Sequence, residues 1–199
     1  MNKDEEDYKA LTVDQVYWIH RTLSMTMSVF ESNGLSYWAN GGTLLGAVRC
    51  GGIVSWDDDV DLAIREEDVP LFLEIAEKKF KLLRLQLSRP SNKYYKIKQE
   101  DGHDIWIDIC IIREDGTDLR GHKIKRKYLK DEIFPLRKVQ FSTFRDPIPI
   151  PLKSEEYLDR VFPNWRTEAV IYSHKDGKKN KVKRPLTHEM NVPYTYHYK

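Results

Sequence analysis

The chain is poor in several features that define large protein classes. It has two cysteines, Cys50 and Cys110, and no Cys/His spacing that suits zinc, so neither a disulfide framework nor a zinc module is expected. No run approaches the roughly 20 apolar residues of a membrane span, and the start, MNKDEEDYKA, has no apolar signal core. No Asn-x-Ser/Thr sequon occurs. These absences predict a protein without a transmembrane segment, working in the cytoplasm. Charge of one sign is also missing: 33 Lys and Arg against 31 Asp and Glu leave +2, too little to argue for a nucleic-acid partner. What charge there is has been sorted, with acids around 57–68 and cations in 120–130 and 175–184. At 199 residues a single domain spanning 1–199 is expected, with 167–199 as a basic C-terminal extension.

The most informative stretch is 40–64, NGGTLLGAVRCGGIVSWDDDVDLAI. It joins a glycine-rich loop to Asp57, Asp58 and Asp59, then places Asp61 in an apolar run. In a strand, Asp59 and Asp61 project to one side while Val60 and Leu62 face the other. Paired carboxylates repel unless a cation lies between them, and all-oxygen donors suit Mg²⁺ or Mn²⁺. An EF-hand is excluded, because Leu62 stands where glycine is required and Asp68 where glutamate is. Gly41 and Gly46 have P-loop spacing, but Ala47-Val48 replaces Lys-Ser/Thr, and no GxGxxG is present. A tight glycine turn opening a short helix remains, with free amides suited to phosphate and Thr43 placed to cap it or to bond phosphate.

Periodicity predicts a helix over 13–33, with Val16, Ile19, Leu23, Met27 and Phe30 in one stripe, a Thr12/Gln15 capping box, a Leu11/Val16 staple and a stop at Asn33-Gly34. Strands are expected at 35–39, 58–64, 81–88, 94–99, 104–112 and 139–144, with 146–151 extended. Further helices are expected over 67–80 (Val69, Phe72, Leu73, Ala76 and Phe80 inward) and 154–162 (capped by Ser154), and the basic run 120–130 suits a helix. Asp108, flanked by isoleucines mid-strand, needs a partner and is the natural third carboxylate; Asp104, Trp106 and Cys110 share its face. Lys96 and Lys98 share a face of the preceding strand, and they and Arg49 are candidate phosphate contacts.

The run GGTLLGAVR, then an aromatic and DDDVD, resembles the signature of the LicD family, which includes bacterial phosphocholine transferases. Fukutin and fukutin-related protein, which transfer ribitol phosphate, are more distant members. The resemblance continues through WIDIC, FPLRKVQF and PIPIPLKSEEYLDRVFPNW and covers roughly 15–166. It implies an α+β nucleotidyltransferase (polymerase-beta-like) fold, a mixed central sheet flanked by helices. Gly41-Gly42, Asp59/Asp61 and Asp108 fall in the order that fold uses. The implied activity is metal-dependent transfer of a substituted phosphate, phosphocholine-like or alditol-phosphate-like, from a CDP-linked donor to a glycan hydroxyl. Asp59, Asp61 and Asp108 would bind Mg²⁺ or Mn²⁺ and carry catalysis; Gly41, Gly42, Thr43, Arg49, Asp57, Lys96 and Lys98 would contact donor or nucleotide. Alternatives are nucleotidyl transfer, a DxD-type glycosyltransferase and an inactive binding-only relative. Ser55, Cys110-Ile111 and Phe162-Pro163-Asn164 depart from the family pattern without removing a carboxylate.

Overall fold

The computed structural model describes residues 10–100, 105–121, 126–142, 147–171 and 182–191. Helix α1, Val13–Ser32, begins at the expected capping box: Thr12 Oγ1 accepts the Gln15 N–H at 3.2 Å, and Gln15 Oε1 accepts the Thr12 N–H at 2.9 Å. It ends at Asn33, where Gly34 takes the left-handed φ of +70°. After strand β1, Trp38–Ala39, comes helix α2, Gly41–Arg49, and then strand β2, Val60–Arg65. Helix α3, Val69–Ile75, continues through a π-helical turn, Ala76–Phe80, and a 3₁₀ turn, Lys81–Leu83.

Two expectations fail along this segment. The inward stripe runs through Phe72, Ile75, Ala76 and Phe80 at helical steps of three and four, and Leu73 falls outside it and is exposed. The next strand does not start at 81: Lys81–Leu83 is helical, Arg84 (φ +54°) breaks the helix, and β3 spans Leu85–Ser91. Strands β4, Tyr94–Gln99, and β5, Ile107–Ile112, follow; the expected Asp101-Gly102 turn and Asp104 lie outside the described residues.

These strands form one mixed sheet in the order β1-β2-β5-β4-β3, parallel only between β2 and β5. Its architecture is the α+β arrangement expected. β5 is central and buried throughout, so it reads as an apolar run rather than an alternating one. The alternation of its neighbours decides what each sheet face does. Leu62, Ile64, Tyr95, Ile97, Ile107 and Ile109 are buried in the core cluster. Phe72 of α3 joins this side to α1 and β4 through ring contacts with Phe30 (5.9 Å) and Tyr95 (5.1 Å). Asp61, Asp108, Lys96 and Lys98 belong to the alternate set, on the other face.

Strands β6 (Arg137–Val139) and β7 (Ile148–Ile150) pair antiparallel, and helix α4 spans Ser154–Val161. β6 thus precedes the strand expected at 139–144, of which 143–144 lie outside the described residues. Ser154 does not cap α4: its hydroxyl donates to the Pro151 carbonyl at 2.5 Å, in a buried position. No α-helix forms in the described part of 120–130, where Arg126 is in a 3₁₀ conformation; residues 122–125 lie outside it. In the C-terminal extension, β8 (Glu168–Ile171) pairs antiparallel with β9 (Val182–Pro185). Trp56 Nε1 donates to the Val170 carbonyl at 3.3 Å, joining that ladder to the aspartate loop. No helix among the described residues is long and apolar enough to cross a membrane.

Helix α4 is anchored by an ion pair of low exposure. Glu132, 4% exposed, accepts from Arg160 Nη1 at 2.6 Å and Nη2 at 2.7 Å, and from the Leu129 amide at 2.7 Å. Glu132→Ala leaves the Arg160 guanidinium without its anion and orphans that amide. The expected cost is about 3 kcal/mol, or roughly 10 °C in Tm by thermal melting. A change within 2 °C would show that the pair contributes little.

Candidate active site

The site is assembled by strand register. Asp61 of β2 lies opposite Asp108 of β5, and Asp108 lies opposite Lys96 of β4. Directly opposed residues on one face are within side-chain reach, so these three make a row across the sheet. Lys96 Nζ is 2.6 Å from Asp108 Oδ1. β1 extends the row: the Asn40 amide donates to the Asp61 carbonyl at 3.0 Å, and Asn40 then caps α2 through its backbone. Asn40 Oδ1 accepts from Tyr128 Oη at 2.9 Å rather than from its own helix, and Tyr128 stacks on Tyr157 at 4.1 Å. The row is therefore held from behind by a buried aromatic pair.

Helix α2 meets the acids through its first residues. Gly41 and Gly42 stand in the first turn of the helix, not in a loop before it. An added Cβ at Gly41 would overlap Asp61 Oδ2, and one at Gly42 would overlap Asp57 Oδ2. Both glycines thus seat carboxylates against a helix N-terminus, where negative charge is favoured. Thr43, expected to cap the helix or bond phosphate, instead accepts the Asp61 N–H on Oγ1 at 2.9 Å and is buried. Its hydroxyl ties α2 to β2.

Electrostatics confirm the crowding. Burial, then the charges of Asp61 and Asp108, pushes Asp59 up to about 7. Asp57, partly open to water yet densely surrounded by protein, is raised well above the usual carboxylate range, by burial first and then by Asp59 and Asp61. Burial also raises Asp108, against the opposing pull of Lys96.

Arg120, which the basic run hid among expected surface charge, is one residue that sequence reasoning missed. Its Nη1 lies 2.8 Å from Asp61 Oδ1 and 4.0 Å from Asp108 Oδ2, and its Nε 3.1 Å from Asp118 Oδ2. Burial alone would lower its pKa, but Cys110, Asp61 and Asp118 more than offset that and raise it. The only sequence signal was indirect, since so many acids at one strand end require a cation. Asn40 and Tyr128 were missed too; asparagine before Gly41-Gly42 is a preferred helix N-cap, whereas nothing marks Tyr128.

The remaining candidates are peripheral. Lys98 sits over the Trp106 ring at 4.8 Å, with Lys96 at 5.8 Å from the same ring. Arg49 is not a loop-surface cation: its guanidinium lies over Trp56 at 5.5 Å, and Nε and Nη2 are buried without a hydrogen-bond partner among the described residues. Asp57 is close enough to act on its charge.

Among the described residues no three Asp, Glu, His or Cys side chains form a ready-made metal set. The structure gathers Asp59, Asp61 and Asp108 at one corner, but with Arg120 on Asp61 and Lys96 on Asp108. The donor chemistry still fits a hard divalent ion: the acids offer carboxylate oxygens only, and their mutual repulsion is what such an ion relieves.

Residues 34–150 match the family model described as LicD/FKTN/FKRP, nucleotidyltransferase domain. An uncharacterised protein of Rickettsia typhi is 32% identical over 160 residues, 78% of this chain and 48% of that protein. Human ribitol 5-phosphate transferase FKRP is 49% identical over 51 residues, 26% of this chain and 10% of its own. The lipopolysaccharide cholinephosphotransferase LicD of Haemophilus influenzae is 39% identical over 45 residues, 23% and 17% of the two chains. The chain spans about half the length of the relatives it matches across most of its own extent.

Proposed function

The chain belongs to the LicD/FKTN/FKRP nucleotidyltransferase family, and on that premise we propose that it transfers a substituted phosphate from a CDP-linked alcohol to a hydroxyl of a glycan. The names of two relatives, a ribitol 5-phosphate transferase and a cholinephosphotransferase, support the alditol-phosphate or phosphocholine class of donor. The observation that carries the reading is the cross-strand row Asp61–Asp108–Lys96, with Asp59 beside it, beneath a helix N-terminus.

In this reading Asp59, Asp61 and Asp108 would hold Mg²⁺ or Mn²⁺, which would supply charge neutralisation for the diphosphate and the leaving nucleotide. The acceptor oxygen attacks the phosphorus bearing the alcohol, the bond to cytidine monophosphate breaks, and the hydroxyl proton passes to Asp108. The raised proton affinity of Asp108 makes it a better acceptor than an ordinary carboxylate. The buried, unpaired guanidinium atoms of Arg49 and the ammonium of Lys98 hold phosphate oxygens; the amides of Gly41 and Gly42 contribute the helix N-terminus.

Thermal-shift titration with CDP-choline, CDP-ribitol, CDP-glycerol and nucleotide-sugars, each with and without Mn²⁺, tests the donor class. Stabilisation by a CDP-alcohol with Mn²⁺ is expected. Stabilisation by nucleotide-sugars alone would sink the reading in favour of glycosyl transfer. Product mass separates the remaining rival, because nucleotidyl transfer leaves the nucleotide on the acceptor.

A further inference from the structure

Arg120 occupies the place that a divalent ion needs. Its guanidinium is 15% exposed and lies between the two opposed carboxylates, 2.8 Å from Asp61 Oδ1 and 4.0 Å from Asp108 Oδ2. Asp61 has no oxygen to spare. Its Oδ2 lies against Gly41, leaving no room even for a methyl group, and its Oδ1 receives both Arg120 and the Cys110 thiol, the latter at 3.6 Å. Asp108 Oδ1 is taken by Lys96 at 2.6 Å. A hard ion coordinates these carboxylates directly only after the guanidinium has withdrawn. Asp118 resists that withdrawal, since it accepts both the Arg120 amide at 2.8 Å and Nε at 3.1 Å and so fixes the residue from a third side.

We infer that Arg120 is a built-in counter-ion: it holds the carboxylate row together when no metal is bound and competes with the divalent ion for Asp61. The inference rests on the metal-dependent reading above. Without a cation, carboxylates opposite each other on neighbouring strands repel, and the row loses the geometry an ion would need. Arg120 preserves that geometry at the cost of metal affinity. A residue with a merely structural role does not have this second property, because its loss damages the site and weakens binding.

Isothermal titration with Mn²⁺ on the whole chain, alongside metal-free melting in chelator, tests this in wild type and Arg120→Gln. The variant is expected to bind Mn²⁺ about tenfold more tightly, since one competing positive charge at contact range has gone. Its metal-free Tm is expected to fall by several degrees, and Mn²⁺ should recover most of that loss. Arg120→Lys keeps the charge but not the forked contacts; it should fall between the two proteins and serves as the comparison if Arg120→Gln does not fold. Unchanged or weaker Mn²⁺ affinity in the variants overturns the counter-ion role alone. Absence of Mn²⁺ binding in every protein, wild type included, overturns the metal reading and the inference with it.

Discussion

Asp59→Asn is expected to abolish transfer while leaving the fold at least as stable as before. The activity loss should reach about a thousandfold in kcat/KM, matching the several kcal/mol of charge stabilisation a positioned ion contributes. The stability prediction comes from linkage. Asp59 titrates near 7 in the folded chain against 3.8 as the ordinary value, so the fold prefers its protonated form. Below about pH 4 the group is protonated in both states and favours neither. As pH rises from about 4 to about 7, the unfolded chain sheds the proton and the folded one retains it, so the metal-free protein loses stability across that window. Asparagine keeps the shape and carries no charge, which removes this loss and eases the repulsion that Asp59 exerts on Asp57. In chelator at pH 8 the variant should therefore melt a few degrees above wild type, and its Tm should vary less between pH 5 and 7. Near-normal transfer by a folded Asp59→Asn protein would remove Asp59 from the metal set. A lower Tm at pH 8 would mean that the carboxylate is paired rather than crowded.

The contrast between local and distant interactions explains which parts of this molecule were legible in its sequence. The start of α1 could be read because Thr12 and Gln15 are three residues apart and satisfy each other. Asp108 could be picked out because a charge between isoleucines in a buried strand requires an explanation. Its position opposite Asp61 could not be derived, since no local pattern sets the parallel register of β2 and β5 across 47 residues. The helix end at Arg84 escaped because a left-handed arginine gives no signal like that of glycine, and because KLLRLQLS fits a strand equally well. Leu73 was misplaced because Leu73 and Ile75 are both apolar neighbours of the Phe72–Ala76–Phe80 stripe, and spacing alone does not say which of them completes it. Arg120 is the most instructive miss. Basic runs are usually solvated, and only the carboxylates folded against this one reveal that it is not.

Gly41→Ala should be nearly as damaging as losing an aspartate, although it adds only a methyl group. The residue has φ +52°, where an L side chain costs about 1 kcal/mol, and its Cβ would overlap Asp61 Oδ2. A lone carboxylate would simply rotate away. Asp61 cannot do so freely, because Oδ1 is held by Arg120 at 2.8 Å and its backbone N–H by Thr43 Oγ1 at 2.9 Å. The alanine methyl therefore breaks either the ion pair or the seating of α2 on β2, and both position the acid row. A fall of about a hundredfold in kcat/KM is expected, the size seen when a catalytic group is misplaced by about 1 Å. Gly42→Ala is the control: its Cβ would overlap Asp57, and its φ is not left-handed, so the loss should be smaller. A double-mutant cycle in stability separates crowding from backbone strain. If the carboxylate is the obstacle, Gly41→Ala in an Asp61→Ala background should cost only the roughly 1 kcal/mol of left-handed strain, and clearly more in wild type. Equal costs in both backgrounds would show that Gly41 is needed for its backbone alone, and the steric seating of Asp61 against α2 would have to be abandoned.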